Sequence, residues 1–307
     1  MIISLFFLIA GFFLLTYGAD YLVRGGSALA VSAGIRPMVI GLTVVAFGTS
    51  MPEAVVTILG VIQGANDIAL GNIVGSNIAN IALVLGVAAV IRSLPLESGV
   101  LRAEIPMVIV ASVAFWLMGL NGMITLVDGL ILLAGFAGFL WFCFHNPQSV
   151  EEDEIVQQGA LSKQKRWLFL VGGVLGLTIG AQVLVTGASD LARMAGVSEV
   201  VIGATVVAIG TSLPELVTSA VAAWKGKVEI GVGNVLGSNI FNLAIIGGVT
   251  LVQPVQVPSS VVAFDIPIMV GFALLLYPIA RRKLDIGRGE GLILLAGYIW
   301  YVTFLFL

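Results

Sequence analysis

The chain has 307 residues, of which 59% are hydrophobic and only 10% charged, with a mean hydropathy of +1.11. Soluble domains carry roughly a quarter of their residues as charges, so a water-soluble globule is excluded. The net charge of -3 selects no class of partner. One cysteine, Cys143, excludes an internal disulfide, and one histidine, His145, without an HExxH pattern, argues against a zinc site.

Apolar runs able to cross ~30 Å of hydrocarbon follow one another almost without pause. In the first half they predict spans at 2–22, 37–63, 68–91, 103–120 and 124–144. The first run lacks a basic leader and a small-residue cleavage site, so it reads as a retained helix. Next comes the polar stretch 146–162, which opens with Asn146–Pro147 and carries Glu151–Glu152–Asp153–Glu154. It lacks the glycine and spacing of an EF-hand and reads as a solvated linker. Five more spans follow at 166–189, 198–224, 229–252, 260–280 and 288–306.

The two halves are copies. Ile40–Glu53, IGLTVVAFGTSMPE, recurs 162 residues later as IGATVVAIGTSLPE at Ile202–Glu215. GNIVGSNIAN at Gly71–Asn80 recurs as GNVLGSNIFN at Gly233–Asn242, and Asp128–Gly135 recurs as Glu290–Gly297. Residues 1–145 thus map onto 163–307 with small local slips. An odd number of spans per copy inverts the second copy in the bilayer. With the N-terminus outside, inner loops hold Arg24, Arg36, Arg92, Arg102, Lys163, Lys165, Arg166, Lys225, Lys227, Arg281, Arg282, Lys283 and Arg288. Only Arg193 falls outside, so 13 of the 14 basic residues lie on one side, as the positive-inside rule requires. The expectation is an all-α membrane protein of ten transmembrane helices, built as two inverted five-helix repeats. Both termini lie outside the cytoplasmic (inner) membrane.

Glu53 and Glu215 fall near the middle of predicted spans, where a charge costs several kcal/mol. No lysine or arginine stands mid-span to neutralise them. Two such carboxylates facing each other need a cation or a proton between them. Thr49 and Glu53 are four residues apart, as are Thr211 and Glu215, and so share a helix face. Pro52 and Pro214 should free the carbonyls of Gly48 and Gly210. Ser76 with Asn80, and Ser238 with Asn242, add neutral oxygens on facing helices; Asn77 and Asn239 sit one residue around and stay outside the ligand set. This all-oxygen set suits Ca2+ better than Mg2+, which sheds its water reluctantly. Gly71, Gly75, Gly233 and Gly237 read as small residues for close helix packing. Asp20 should pair with Arg24. Glu104, Asp128, Asp265 and Glu290 read as charges near span ends, reachable by water or the interface.

Two copies of GTSxPE, each followed by GNxxGSN, resemble the alpha repeats of the cation/calcium exchanger superfamily, its prokaryotic sodium/calcium antiporter branch most of all. The resemblance covers essentially the whole chain. It implies ion ligation by Glu53, Glu215, Thr49, Ser50, Thr211, Ser212, Ser76 and Ser238, and by the backbone carbonyls of Ala46 and Ala208. It also implies that the first and sixth helices slide over a fixed core. Many relatives carry an aspartate where this chain has Asn242, so this site would offer two carboxylates rather than three. The function expected is Na+/Ca2+ antiport by a monomer in the lipid bilayer, with inorganic cations as cargo, no cofactor, no nucleic acid and no enzymatic chemistry. Proton-coupled or K+-dependent exchange is the alternative. A passive channel is disfavoured by the buried acidic pair.

Overall fold

The computed structural model describes residues 1–145, 161–197, 202, 206 and 208–305. Most of the proposed linker at 146–162 and the start of the span proposed at 198–224 therefore lie outside the described residues.

The described chain is almost entirely helical, because in hydrocarbon only a helix satisfies its own backbone hydrogen bonds. In order, the helices are α1 Ile2–Ala33, α2 Pro37–Thr49, α3 Met51–Ile62, α4 Asn66–Ile91, α5 Val100–Gly119 and α6 Leu126–His145. They continue as α7 Lys163–Met194, α8 Ala208–Thr211, α9 Leu213–Trp224, α10 Val228–Val249, α11 Val261–Lys283 and α12 Arg288–Leu305. Among the described residues, seven helices are long and apolar enough to cross a membrane, and α2 with α3 as one bent span makes eight. The helix α12 carries Arg288 and Glu290 in its first turn, which dilutes its hydropathy.

The molecule is layered. The apolar windows of α4 and α10 are 78% and 89% buried, against 22–33% for α1, α5, α6, α7 and α11. The two central helices thus form the core, and these five face lipid. Close backbone approach makes this possible: Gly41 on α2 crosses Gly233 on α10, and a Cβ on Gly41 would stand 2.6 Å from the Ile230 carbonyl. Gly233 and Gly237 therefore do pack as the sequence suggested. Residues 203 and 204, the repeat counterparts of their neighbours Gly41 and Leu42, lie outside the described residues.

The outer pair α1 and α7 is 32 residues long in each helix, about 48 Å at 1.5 Å per residue. The expected spans 2–22 and 166–189 were too short. Their contact follows a rule. Gly11, Gly18 and Gly25 lie against the backbones of Leu184, Leu177 and Leu170, while Gly173, Gly180 and Gly187 lie against those of Leu22, Leu15 and Leu8. The helices run antiparallel, with a glycine every seventh residue on each giving way to a leucine of the other.

Two short strand pairs link the loops. Strand β1, Leu94–Pro95, pairs with β4, Asp285–Ile286, and β2, Met123–Ile124, pairs with β3, Val255–Gln256.

Several charges differ from expectation. Because α1 continues to Ala33, Arg24 lies within the helix rather than in an inner loop; it does pair with Asp20 at 3.0 Å, and Lys225 also contacts Asp20. Burial of Lys225 lowers its pKa. Glu104 is not at a wet helix end: it is 1% exposed and paired with Arg36 at 3.4 Å, while Arg36 also holds Glu97 at 2.8 Å. Asp265 is half-buried and accepts a hydrogen bond from the Tyr301 hydroxyl at 2.9 Å. Asp128 does act at a helix start, accepting from the backbone and hydroxyl of Thr125 at 2.8 and 2.6 Å.

Candidate cation site

The site grows from two helix breaks. Ser50 has φ -84° and ψ 8°, and Ser212 has φ -86° and ψ 4°, both between helical and extended geometry. Pro52 and Pro214 occupy the second residue of the following helix, where no backbone N–H is needed. The break turns α3 by 49° from α2. This corrects the picture of one continuous helix with a loosened carbonyl at Gly48. The helix stops and restarts, so Thr49 closes one piece while Glu53 opens the next. Glu53 and Glu215 each stand in the first turn of a helix, α3 and α9, where the positive end of the helix dipole favours an anion.

Both carboxylates have no solvent exposure. Their hydrogen bonds cross between the halves: Ser50 donates to Glu215 Oε1 at 2.8 Å, and Ser212 stands 3.4 Å from Glu53 Oε1. Ser76 also donates to Glu53 Oε1 at 3.4 Å, with Ser212 3.3 Å from Ser76. The two acids thus share one polar cluster, within electrostatic reach of each other. Among the described residues no lysine or arginine pairs with either, and no third acid, histidine or cysteine joins them.

Other oxygens converge. The Thr49 hydroxyl lies 2.9 Å from Asn234 Oδ1 and 3.3 Å from the Ala46 carbonyl, which also accepts the Ser50 N–H at 3.0 Å. The Thr211 hydroxyl lies 3.5 Å from Asn72 Oδ1, and Ala208 opens the short helix α8 that Thr211 ends. Further along the central helices, Asn80 donates to Asn239 Oδ1 at 3.3 Å and Asn242 to Asn77 Oδ1 at 3.0 Å. Asn77 and Asn239 therefore hold Asn80 and Asn242 across the crossing of α4 and α10. Among the described residues, Glu53 Oε2, Glu215 Oε2, Asn80 Oδ1, Asn242 Oδ1 and Ser238 Oγ are buried oxygens left without a hydrogen-bond partner. Each unsatisfied buried acceptor costs about 1–3 kcal/mol. A hard cation accepts such oxygens.

Sequence reasoning missed Asn72 and Asn234. Asn72 donates to the Glu53 carbonyl at 3.1 Å and to Thr57 Oγ1 at 2.9 Å. Asn234 is 3.5 Å from the Glu215 carbonyl and 3.1 Å from Ser219 Oγ. The signal was present: each lies four residues before Ser76 or Ser238, on the same helix face. The two ends of the site differ in access. Thr49 and Asn234 are wholly buried, whereas Thr211 and Asn72 are partly exposed.

The model of the sodium/calcium exchanger protein family matches residues 3–145 and again 165–307. The chain belongs to that family. It is 35% identical over 324 residues to inner membrane protein YrbG of Escherichia coli, covering 100% of this chain and 98% of the relative. It is 30% identical over 345 residues to the sodium/calcium exchanger MaX1 of Methanosarcina acetivorans, covering 99% of each. The structure of the sodium-calcium exchanger NCX_Mj soaked with Na+ and Sr2+ superposes with a TM-score of 0.87 at 32% identity, covering 98% of both chains. This family member is therefore a multi-pass membrane protein of the prokaryotic exchanger branch.

Proposed function

We propose that this chain exchanges Na+ for Ca2+ across the cytoplasmic membrane by alternating access, with the cations held between Glu53 and Glu215. The observation that carries this reading is the pair of wholly buried glutamates, bridged by serines from opposite halves and without a cationic partner among the described residues. One Ca2+ neutralises both. Thr49, Ser50, Ser76, Asn80 and the Ala46 carbonyl would complete the shell from the first half. Thr211, Ser212, Ser238, Asn242 and the Ala208 carbonyl would do so from the second. Ca2+ takes six to eight such oxygens. Na+ uses the same oxygens, so occupancy by one excludes the other, and exchange follows from that competition.

The ten-helix, doubly inverted architecture is part of the same proposal, as is the division into 1–145, linker 146–162 and 163–307. The family model's two matches begin 162 residues apart. The polar contacts are reciprocal at the same offset: Asn80 to Asn239 answers Asn242 to Asn77, and Asn72 to Thr57 answers Asn234 to Ser219. The strand pairs answer each other likewise, with a one-residue slip in β1 and β3. Such repeats meet at a midplane site in many secondary transporters. Both termini outside remains the orientation favoured by the basic residues. In that orientation the partly exposed Asn72 and Thr211 mark the outer approach.

Uptake of 45Ca into proteoliposomes, with Na+, K+ and pH gradients imposed in turn, tests the coupling. An outward Na+ gradient should drive uptake while the others do not. Uptake that ignores Na+ and follows the pH gradient would instead establish proton coupling through Glu53 or Glu215.

A further inference from the structure

The two halves part company on the lipid-facing side of α5 and α6. There a groove of about 580 Å3 runs beside α10, from Arg102 near the start of α5 to Met118 near its end. That is about 24 Å of helix at 1.5 Å per residue, about four-fifths of the ~30 Å hydrocarbon layer. Its volume falls in the 300–1,000 Å3 range of true ligand sites. The groove opens to lipid, since Val110 on its wall is 67% exposed.

In the other half larger side chains stand at the matching positions. Aligning Glu104–Ile105–Pro106 with Asp265–Ile266–Pro267 puts Ala103 opposite Phe264 and Ala111 opposite Phe272. Aligning Asp128–Gly135 with Glu290–Gly297 puts Gly138 opposite Trp300. Phe264 stacks on Phe304 at 4.5 Å, and the Phe272 ring would lie 2.9 Å from a Cβ on Gly297. Gly135, the counterpart of Gly297, has nothing within 4 Å of a Cβ, and neither has Gly138. Three large aromatic side chains in one half have become Ala, Ala and Gly in the other. The small side chains at these positions leave room for the groove.

Its polar end carries charge. Arg102 lines both the groove and an adjoining cavity of about 230 Å3 that Ser98, Gly99 and Arg36 also border. Arg36 is held by Glu97 and Glu104, but Arg102 is exposed and has no carboxylate partner among the described residues. An apolar slot of one acyl-chain length that ends at a guanidinium with no carboxylate partner among the described residues matches one chemistry. We propose that this groove binds an anionic glycerophospholipid, with one acyl chain along Ala111, Gly135 and Gly138 and the phosphate on Arg102. That the lipid belongs to the inner leaflet rests on the orientation proposed above; the binding itself does not.

Native mass spectrometry of the full-length protein in detergent, titrated with phosphatidylglycerol or phosphatidylcholine of identical acyl chains, tests the proposal. The wild type should hold one phosphatidylglycerol about five-fold more tightly than phosphatidylcholine, as about 1 kcal/mol per basic residue at an anionic lipid surface implies. Arg102→Gln should erase that preference while leaving the weaker phosphatidylcholine adduct. Ala111→Phe, which copies the Phe272 arrangement on Gly297, should abolish the tight adduct of both lipids, with unchanged helical circular dichroism showing that the variant folds. Equal affinity for the two lipids in the wild type, or an undiminished adduct in folded Ala111→Phe, would overturn it. Because no transport is read, failure of this site and failure of the antiport reading remain separate results.

Discussion

Glu53 and Glu215 are the residues on which the proposed chemistry turns, and each has a carboxylate oxygen with no hydrogen-bond partner among the described residues. In the proposed site, Glu53→Gln or Glu215→Gln removes one of the two carboxylates that would neutralise a bound Ca2+, and depriving a buried charge of its opposite partner costs about 3–5 kcal/mol. Ca2+ transport should fall at least ~100-fold in each variant, with unchanged membrane insertion and elution profile, as 45Ca flux and size-exclusion chromatography would show. Asn234 acts by positioning: it meets the Thr49 hydroxyl, the Glu215 carbonyl and Ser219. Outer-shell partners of metal ligands typically contribute about 10–100-fold, so Asn234→Ala should weaken Ca2+ binding by about that factor and spare folding. Arg36 is different. Its loss strands the buried Glu104, so Arg36→Ala should lower thermal stability without altering relative Ca2+ and Na+ affinities. The glutamates were legible because a lone mid-span acid has few uses. Asn72 and Asn234 escaped because an amide beside GxxxG reads equally well as helix packing, and only the structure shows what they hold.

At the scale of elements, the breaks at Ser50 and Ser212 decide the geometry. Proline after serine signalled irregularity in the sequence, but not that the helix would stop and restart, which depends on the facing helix accepting the chain ends. The lengths of α1 and α7 were also hidden. Hydropathy marks what lies in hydrocarbon, and a helix can extend past it; Arg24 looked like a loop residue for that reason. The seven-residue glycine rhythm of Gly11, Gly18 and Gly25 against Gly173, Gly180 and Gly187 leaves no room for side chains. Gly18→Leu should therefore force α1 from α7, and overpacking of this kind costs about 1–3 kcal/mol. Unfolding in detergent should show a lowered midpoint, while Gly135→Ala, facing open space, should change it little.

For the whole molecule, the repeat was the most legible feature, since two motifs at one shared offset fix both copies at once. What the sequence could not reveal was how the copies interlock: Ser50 of one half meets Glu215 of the other, and Asn80 meets Asn239. The proposed inversion makes the matched loops after α3 and α9 face opposite sides. In a Cys143→Ala background, Gln63→Cys should react with an impermeant maleimide only from outside, and Lys227→Cys only from inside. Labelling of both from one side would refute the topology. The most direct test of the central claim is equilibrium 45Ca binding to the purified protein. One Ca2+ should bind per chain, Na+ should displace it competitively, and either glutamate-to-glutamine change should remove it. Undiminished, Na+-sensitive binding in a folded Glu53→Gln, Glu215→Gln double variant would contradict the account.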